Sequence, residues 1–353
     1  MALKTGTHDI SSLLAVTNAT AVEFGLDTLE DVLRRDNEAH NAIREDILSD
    51  LAATTTDRQR VQGTSIGGDM MEADEYSRIP TQKDAPGQLL GFPLRKMQYA
   101  VGWTREWEKK RTPRDYAVTQ QAAQGADIRR TLYEIKKAIF TPTNFTFVDR
   151  LVDNASLAVK ALMNADSSSI SNGPNGETFD GATHTHYNAN ATLTAAAVSA
   201  TVTDVVEHGF GGQVRININV ANEAAFKALA GFTAYLDPRV SLNMNANQAL
   251  QRLDITRMDN RAIGIFENAE VWTKPWVPAN YLFVSDVGSD QKPLVQRVEE
   301  GEGQGLHLEA EIETFPLRAQ YQEHKYGFGV WSRLNGAALK FDNAVYAAPT
   351  LTW

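Results

Sequence analysis

Apolar positions first fall at helical spacing over residues 28–51, where Leu29, Val32, Leu33, Ile43, Ile47 and Leu48 form one stripe behind a Thr28-x-x-Asp31 start. The other face is charged and residues 54–60 are polar, so the stripe has no obvious local partner and reads as an arm that docks elsewhere. Residues 63–104 carry Gly63, Gly67, Gly68, Pro80, Pro86, Gly87, Gly91, Pro93 and Gly102, which break any helix. Between them lie Tyr76, Ile79, Leu89, Leu90, Phe92, Leu94, Met97, Tyr99, Val101 and Trp103, residues that form strands. A connection this long without its own core is unusual inside a compact domain. The segment reads as an extended β-hairpin that packs on another subunit and is ordered only in an assembly. Deleting residues 1–51 is expected to spare the fold and stop assembly.

The longest helix is predicted over residues 113–140, with Thr112 as N-cap, Pro113 at the first helical position and Asp115 in the first turn. Ile128, Leu132, Ile135 and Ile139 give it one apolar stripe, and at 1.5 Å per residue it makes a rod of about 40 Å. Gly125 lies in its middle, where glycine costs about 1 kcal/mol relative to alanine, so either close packing or bending should account for it. A shorter helical pattern is read over residues 151–163, then a Ser/Asn/Gly loop over 167–176. A helix of small residues over 193–210 ends at His208-Gly209, a strand follows at 214–219, and a short helix at 222–229. The remaining pieces read as strands: 269–272, 281–284, 306–312, and the pair 326–331 and 337–341 joined at Asn335-Gly336, a hairpin-turn signal.

Composition narrows the function. With 353 residues, 42% of them hydrophobic and 22% charged, the chain is globular and long enough for about two domains. Cysteine is absent, which removes disulfides, thiolate metal sites and a thiol nucleophile. No signal-peptide pattern or long apolar run is present, so synthesis and use in a cytoplasm are expected. The net charge of −10 is uneven: residues 1–60 carry 6 positive and 11 negative groups, 64–150 carry 14 and 11, and 151–353 carry 14 and 22. Such a chain is a poor sequence-specific nucleic-acid reader, which needs a basic footprint, and only weak contact through the central part is expected.

The best basic cluster is Arg105, Lys109, Lys110, Arg111 and Arg114 with Trp103 and Trp107 interleaved; Glu106 and Glu108 favour salt links to an acidic neighbour over nucleic acid. His184-Thr185-His186 has metal-site spacing, yet with no third ligand nearby in sequence it reads as a polar loop. The Glu309, Glu311, Glu313 row reads as the wet face of a strand, or as facing basic residues across a subunit contact, rather than as a calcium site. Gly209-Phe210-Gly211-Gly212 follows a helix and precedes a strand, the reverse of a phosphate-binding loop. No catalytic motif, metal site or cofactor motif emerges, which counts against a small-molecule enzyme of mixed α/β type.

This order of acidic arm, long hairpin, spine helix, mixed domain and closing strands resembles the HK97-type capsid subunit. The passage "LTAAAVSATVTDVVEHGFGGQVRININ" (193–219) resembles the helix-to-strand part of its axial (A) domain, as does "IGIFENAEVWTKPWVPANYLFVSDVG" (263–288). "YQEHKYGFGVWSRLNGAALKF" (321–341) is similar to the late strands of the peripheral (P) domain. The resemblance implies an α+β fold divided into an N-terminal arm (1–62), an extended loop (63–111), a spine helix with the first part of the P domain (112–190), an A domain (191–298) and closing P-domain strands with a tail (299–353). It implies a structural, non-enzymatic phage protein that self-assembles into hexamers and pentamers of an icosahedral shell around double-stranded DNA. Its partners would be itself, a portal protein, the packaged DNA through weak contacts and in some relatives a decoration protein, with no membrane and no cofactor. The short arm implies a separate scaffolding protein, and the location is the virion capsid, assembled in host cytoplasm. Self-crosslinking relatives join a loop lysine to a P-domain asparagine with a glutamate's help; Lys83 or Lys96 and Asn335 or Asn343 would be the residues, though no local pattern selects them. Assembly or hinge candidates are Gly125, Trp103, Trp107, Lys109, Lys110 and Arg111. Spine helices in this family are thought to bend as shells expand, which makes Gly125 the candidate bending point. The same fold also serves encapsulin-like compartments that enclose a cargo protein.

Overall fold

The structure, a computed structural model, describes residues 8–62, 70–81, 87–235, 260–301 and 304–351. Helices α1 (Ile10–Ala15), α2 (Ala21–Phe24) and α3 (Leu26–Ser49) come first, then strands β1 (Ala52–Thr55), β2 (Gln59–Gln62), β3 (Gln88–Gly91) and β4 (Arg95–Thr104). A single turn, α4 (Arg105–Glu108), leads to the long α5 (Pro113–Phe140) and the strands β5 (Phe145–Asp149), β6 (Ala155–Val159) and β7 (Tyr187–Ala189). Next are α6 (Ala195–Val206), β8 (Val214–Ile218), α7 (Glu223–Lys227), β9 (Phe232–Ala234), β10 (Arg261–Phe266), β11 (Ala269–Thr273) and β12 (Tyr281–Asp286). The chain closes with β13 (Leu294–Val298), β14 (His307–Thr314), β15 (Leu317–Val330) and β16 (Ala337–Lys340).

Local chemistry sets the helix ends. At α5 the Thr112 backbone N–H donates to Asp115 at 2.8 Å, completing the capping box with Pro113 in the first turn. Thr194 caps α6, and Gly209 just beyond its end adopts φ +89°, a left-handed conformation that glycine takes without strain. The start of α3 departs from expectation. Thr28 lies inside the helix; the box is one element earlier, where Thr20 and Glu23 cap α2, and α3 follows directly on Gly25.

Two larger sheets organise the strands. One runs β1-β13-β15-β14 with β4 paired to the opposite edge of β15, and the other runs β7-β16-β12-β8-β11-β10-β9. The first packs under α5, where Ile135, Ile139 and Phe140 meet Leu294, Tyr326, Phe328 and Val330. The second buries Ile216, Ile218, Val271, Leu282 and Val284 against Val198 and Val205 of α6. Sheet membership crosses the sequence division at residues 298 and 299, since β13 joins the first sheet and β16 the second.

Three further expectations are corrected. The stretch 151–163 is not helical: β5 and β6 form an antiparallel hairpin, with Leu157 and Val159 buried at strand spacing and Asn154 in the turn at φ 60°. Asn335-Gly336 does not join a hairpin, because β15 and β16 lie in different sheets; Asn335 is buried and its amide donates to the carbonyls of Asp286 (3.0 Å) and Gln291 (2.7 Å). The segment after residue 87 finds partners in its own chain: β3 pairs with β2, and β4 pairs with β15 over ten positions from Tyr326↔Arg95 to Leu317↔Thr104. Only its outer part, with exposed Met70, Met71, Tyr76 and Ile79, matches a segment waiting for a neighbour; 63–69 and 82–86 lie outside the described residues.

The arm helix is also already docked. Leu29 and Val32 pack on Tyr116 and Ala117 of α5, and Leu48 and Leu51 enter the core beneath it. Its facing stripe is partly polar, which hid the partner from an apolar count: Asn37, His40 and Arg44 meet Gln120, Asp127 and Thr131. Deleting residues 1–51 therefore strips the chain's own core, and is not expected to spare the fold.

Candidate assembly surfaces

The basic cluster resolves into a stacked knot rather than an open patch. Arg111 is 1% exposed, its guanidinium 3.7 Å from the Tyr116 ring centre, 4.2 Å from Trp103 and 5.0 Å from Trp107, and it donates to Thr119 Oγ1 at 2.9 Å. A planar cation clasped by three rings is a packing element, not a phosphate ligand. Trp103 is buried, whereas Trp107 is 46% exposed. Lys109 pairs with Glu106 at 2.6 Å, and Lys110 and Arg114 face solvent. The salt links foreseen to a neighbour form within the chain: Arg105 with Glu313, and Arg318 with Glu108.

The acidic row is likewise engaged. Gln320 donates to Glu311 at 2.6 Å, Arg318 lies 3.6 Å from Glu311 and 3.9 Å from Glu313, and Glu309 is 3.2 Å from His307. In the glycine-rich turn the backbone N–H groups of Gly212 and Gln213 both donate to the Asp286 carboxylate at 2.9 Å, so those amides serve an internal anion. Of the crosslink candidates, Lys96 pairs with Glu323 at 2.6 Å, Asn335 is used internally, Asn343 is exposed and Lys83 lies outside the described residues.

Gly125 sits in an unbroken α5, and a Cβ there would meet only Arg129 Nη1 at 3.4 Å. Within the described residues of this subunit, close packing is therefore not what selects glycine.

Among the exposed apolar side chains of the described residues, three groups stand out. Val22, Leu26, Ile43 and Ile47 lie on the outer side of the arm helices; Met70, Tyr76 and Ile79 mark the extended segment; Ile312, Phe315 and Leu317 crowd the turn end of the β14–β15 hairpin. Phe315 is 81% exposed and Tyr76 93%. Grouped apolar exposure of this kind marks interaction surfaces. No helix among the described residues is long and apolar enough to cross a membrane.

Among the buried charges that sequence reasoning missed, two tie distant segments together. Arg333, fully buried, donates to the carbonyls of Ala161 (2.7 Å) and Leu162 (3.2 Å), to Asn164 Oδ1 (2.8 Å) and to Ser168 Oγ (3.0 Å), and pairs with Asp166. It binds the end of β6 and the following loop to Gln88 of β3. Asp149 accepts from Arg297 at 2.9 Å and Arg58 at 3.2 Å, which pins β5 to both β13 and the base of the extended segment. Nothing in a one-dimensional pattern marks these pairs, because the partners lie far apart in the chain. His184 and His186 also acquire the third imidazole that the sequence did not place nearby, that of His208.

No family model matches this sequence, and no curated protein does. Solved structures do. A chain from Mycobacterium phage Patience superposes with a TM-score of 0.67 at 18% identity, covering 99% of this chain and 96% of that one. This is an HK97-like capsid fold. The capsid of an empty GTA particle matches at a TM-score of 0.47 and 12% identity, covering 84% of this chain and 90% of that one. The holo-SrpI encapsulin complex from Synechococcus elongatus matches at 0.43 and 9%, covering 90% and 92%. At those scores neither distinguishes a viral from a cellular use of the HK97-like fold.

Proposed function

We propose that the chain is the major capsid protein of a tailed double-stranded DNA phage, a structural subunit that forms hexamers and pentamers of an icosahedral shell around the genome. The observation that carries this reading is the end-to-end correspondence with the Mycobacterium phage Patience chain, 99% of this chain against 96% of that one, with no large insertion left to house another activity. The three exposed apolar features support it, since each is a surface that a neighbouring subunit would cover.

On this reading α1–α3 form the N-terminal arm, the segment between β2 and β4 is the extended loop, α5 is the spine, the sheet containing β15 is the core of the P domain and the seven-stranded sheet belongs to the A domain. The subunit needs no cofactor and has no catalytic role. A separate scaffolding protein, a portal and weakly bound DNA complete the set of partners, and the protein resides in the virion capsid after assembly in host cytoplasm.

Negative-stain microscopy of the purified full chain, alone and co-expressed with its neighbouring genes, tests the reading. Closed shells that protect DNA from nuclease are expected. Shells that instead hold a defined cargo protein would make the chain an encapsulin-type subunit, and a small oligomer under both conditions would remove the shell reading.

A further inference from the structure

Three imidazoles from separate parts of the chain converge beside the seven-stranded sheet. His184 and His186 enter β7 from the loop that Arg333 anchors, and His208 ends the turn after α6. His184 Nε2 lies 3.1 Å from His186 Nε2 and 2.9 Å from His208 Nε2, and the ligand atoms of all three lie within 4.8 Å of one another. His186 Nδ1 is 2.7 Å from the carbonyl oxygen of Gly336, which holds the proton on Nδ1 and turns the Nε2 lone pair toward the other rings.

That fixed tautomer creates a conflict. If His184 Nε2 is unprotonated, two lone pairs face each other at 3.1 Å; if it is protonated, one proton has to serve acceptors on both sides. A cation between the three nitrogens removes the conflict. Zinc takes imidazole nitrogens at about 2.0–2.1 Å in tetrahedral geometry, which places neighbouring ligand atoms about 3.3 Å apart, so the rings need only small rotations.

The surroundings fit. Glu207 Oε1 lies 3.7 Å from His184 Nε2 and 3.9 Å from His208 Nε2, within reach as a fourth, anionic ligand. The Phe179 ring lies tilted against both imidazoles, with centroids 4.2 Å from His208 and 5.0 Å from His184, and shields one side. The side chains of His186 and His208 are almost wholly buried, while that of His184 retains 15% exposure and leaves a way in.

We propose that His184, His186 and His208, with Glu207 as fourth ligand, form a binding site for a divalent transition metal of the zinc class. The bound ion would fasten the loop before β7 to the turn after α6, with the Gly336 carbonyl orienting His186. It would act as a staple within the subunit and has no open catalytic position in this arrangement.

Cobalt(II) added to the full-length chain, freed of metal by a chelator and dialysed, is the first probe. One equivalent per chain should give the strong visible bands of a tetrahedral nitrogen-rich site, and zinc should displace it. His184→Asn, at the exposed rim, should weaken cobalt binding by more than about tenfold while leaving the circular dichroism unchanged, and His307→Asn, on β14, should bind as the parent does. X-ray absorption on the zinc-loaded parent chain needs no variant, and a shell with three imidazole nitrogens is expected. An oxygen-only shell, absence of stoichiometric binding, or unchanged binding by a folded His184→Asn chain would each overturn the site.

Discussion

The interior of the seven-stranded sheet and the seam where α3, α5 and β15 meet are built from opposite materials. Behind the sheet, Val198, Ile216, Leu282 and Val284 make an apolar layer whose attraction is non-directional. Along the seam, buried polar groups pair in steps: Gln120 bonds Asn37 and accepts from Gln322 at 2.7 Å, Asp127 lies between His40 (3.1 Å) and His324 (2.7 Å), and Thr131 accepts from Arg44 and donates to Tyr326 at 3.1 Å. Burial works against ionisation of Asp127, yet the hydrogen bonds from His324 and His40 and the charge of Arg44 hold its carboxyl well below the usual range. Burial outweighs the same carboxylate at His324 and lowers it, so the ring stays neutral. An apolar layer tolerates small slips; a ladder of matched polar groups does not, because a shift of one helical turn would leave several of them unpaired. The sheet supplies stability, and the seam fixes where the spine lies.

The largest effect is expected at the seam. Asp127→Ala leaves Arg44 buried without its counter-charge and two imidazoles without their acceptor, and should cost about 3–5 kcal/mol in denaturant unfolding of the chain. Leu282→Ala in the sheet should cost about 2–5 kcal/mol by cavity formation. Acid separates the two. The Asp127 carboxyl is depressed by folding, so its contribution is present above the ordinary aspartate pKa and is lost as pH falls below it; His324, lowered by burial, costs parent and variant alike as the unfolded chain takes up protons below about 6.5, so the carboxyl decides the sign of the difference. The gap between parent and Asp127→Ala should therefore narrow from pH 7 to pH 3, while that of Leu282→Ala stays constant. Equal narrowing of both gaps would break the comparison.

A smaller, opposite effect is expected at Gly125. Its Cβ would meet little, so Gly125→Ala should stabilise the isolated subunit by about 1 kcal/mol. If the glycine serves as a bending point, the same variant should assemble but expand abnormally; parent helices that superpose in unexpanded and expanded shells would exclude bending. Lys109→Ala should change stability by less than about 0.5 kcal/mol, since its partner Glu106 is also exposed.

The sequence made legible whatever depends on neighbours in the chain. The spine with its Thr112 cap, the α6-to-β8 passage and the strands at 269–273 and 281–286 follow from local periodicity and capping chemistry. Apart from the start of α3, where Thr28-x-x-Asp31 gave a false cap, what failed depended on distant partners. The hairpin of β5 and β6 carries apolar residues that also suit a short helix, and only its pairing decides. Arg111 reads as one more surface cation until three aromatic rings close over it, and the His208 imidazole becomes a neighbour of His184 only through the fold.

The fourteen-residue strand β15 has a mechanical consequence. It is gripped along one edge by ten residues of β4 and along the other by β14 and then β13. A pull directed along the strands strains many cross-strand bonds at once, whereas a peeling force breaks them in succession. The subunit should be stiff to tension in the plane of that sheet and weak to forces that lift β4 away from it. A wall of such units would resist swelling pressure far better than local prying, and indentation with a fine probe should rupture it at a lower load than osmotic shock of comparable stress.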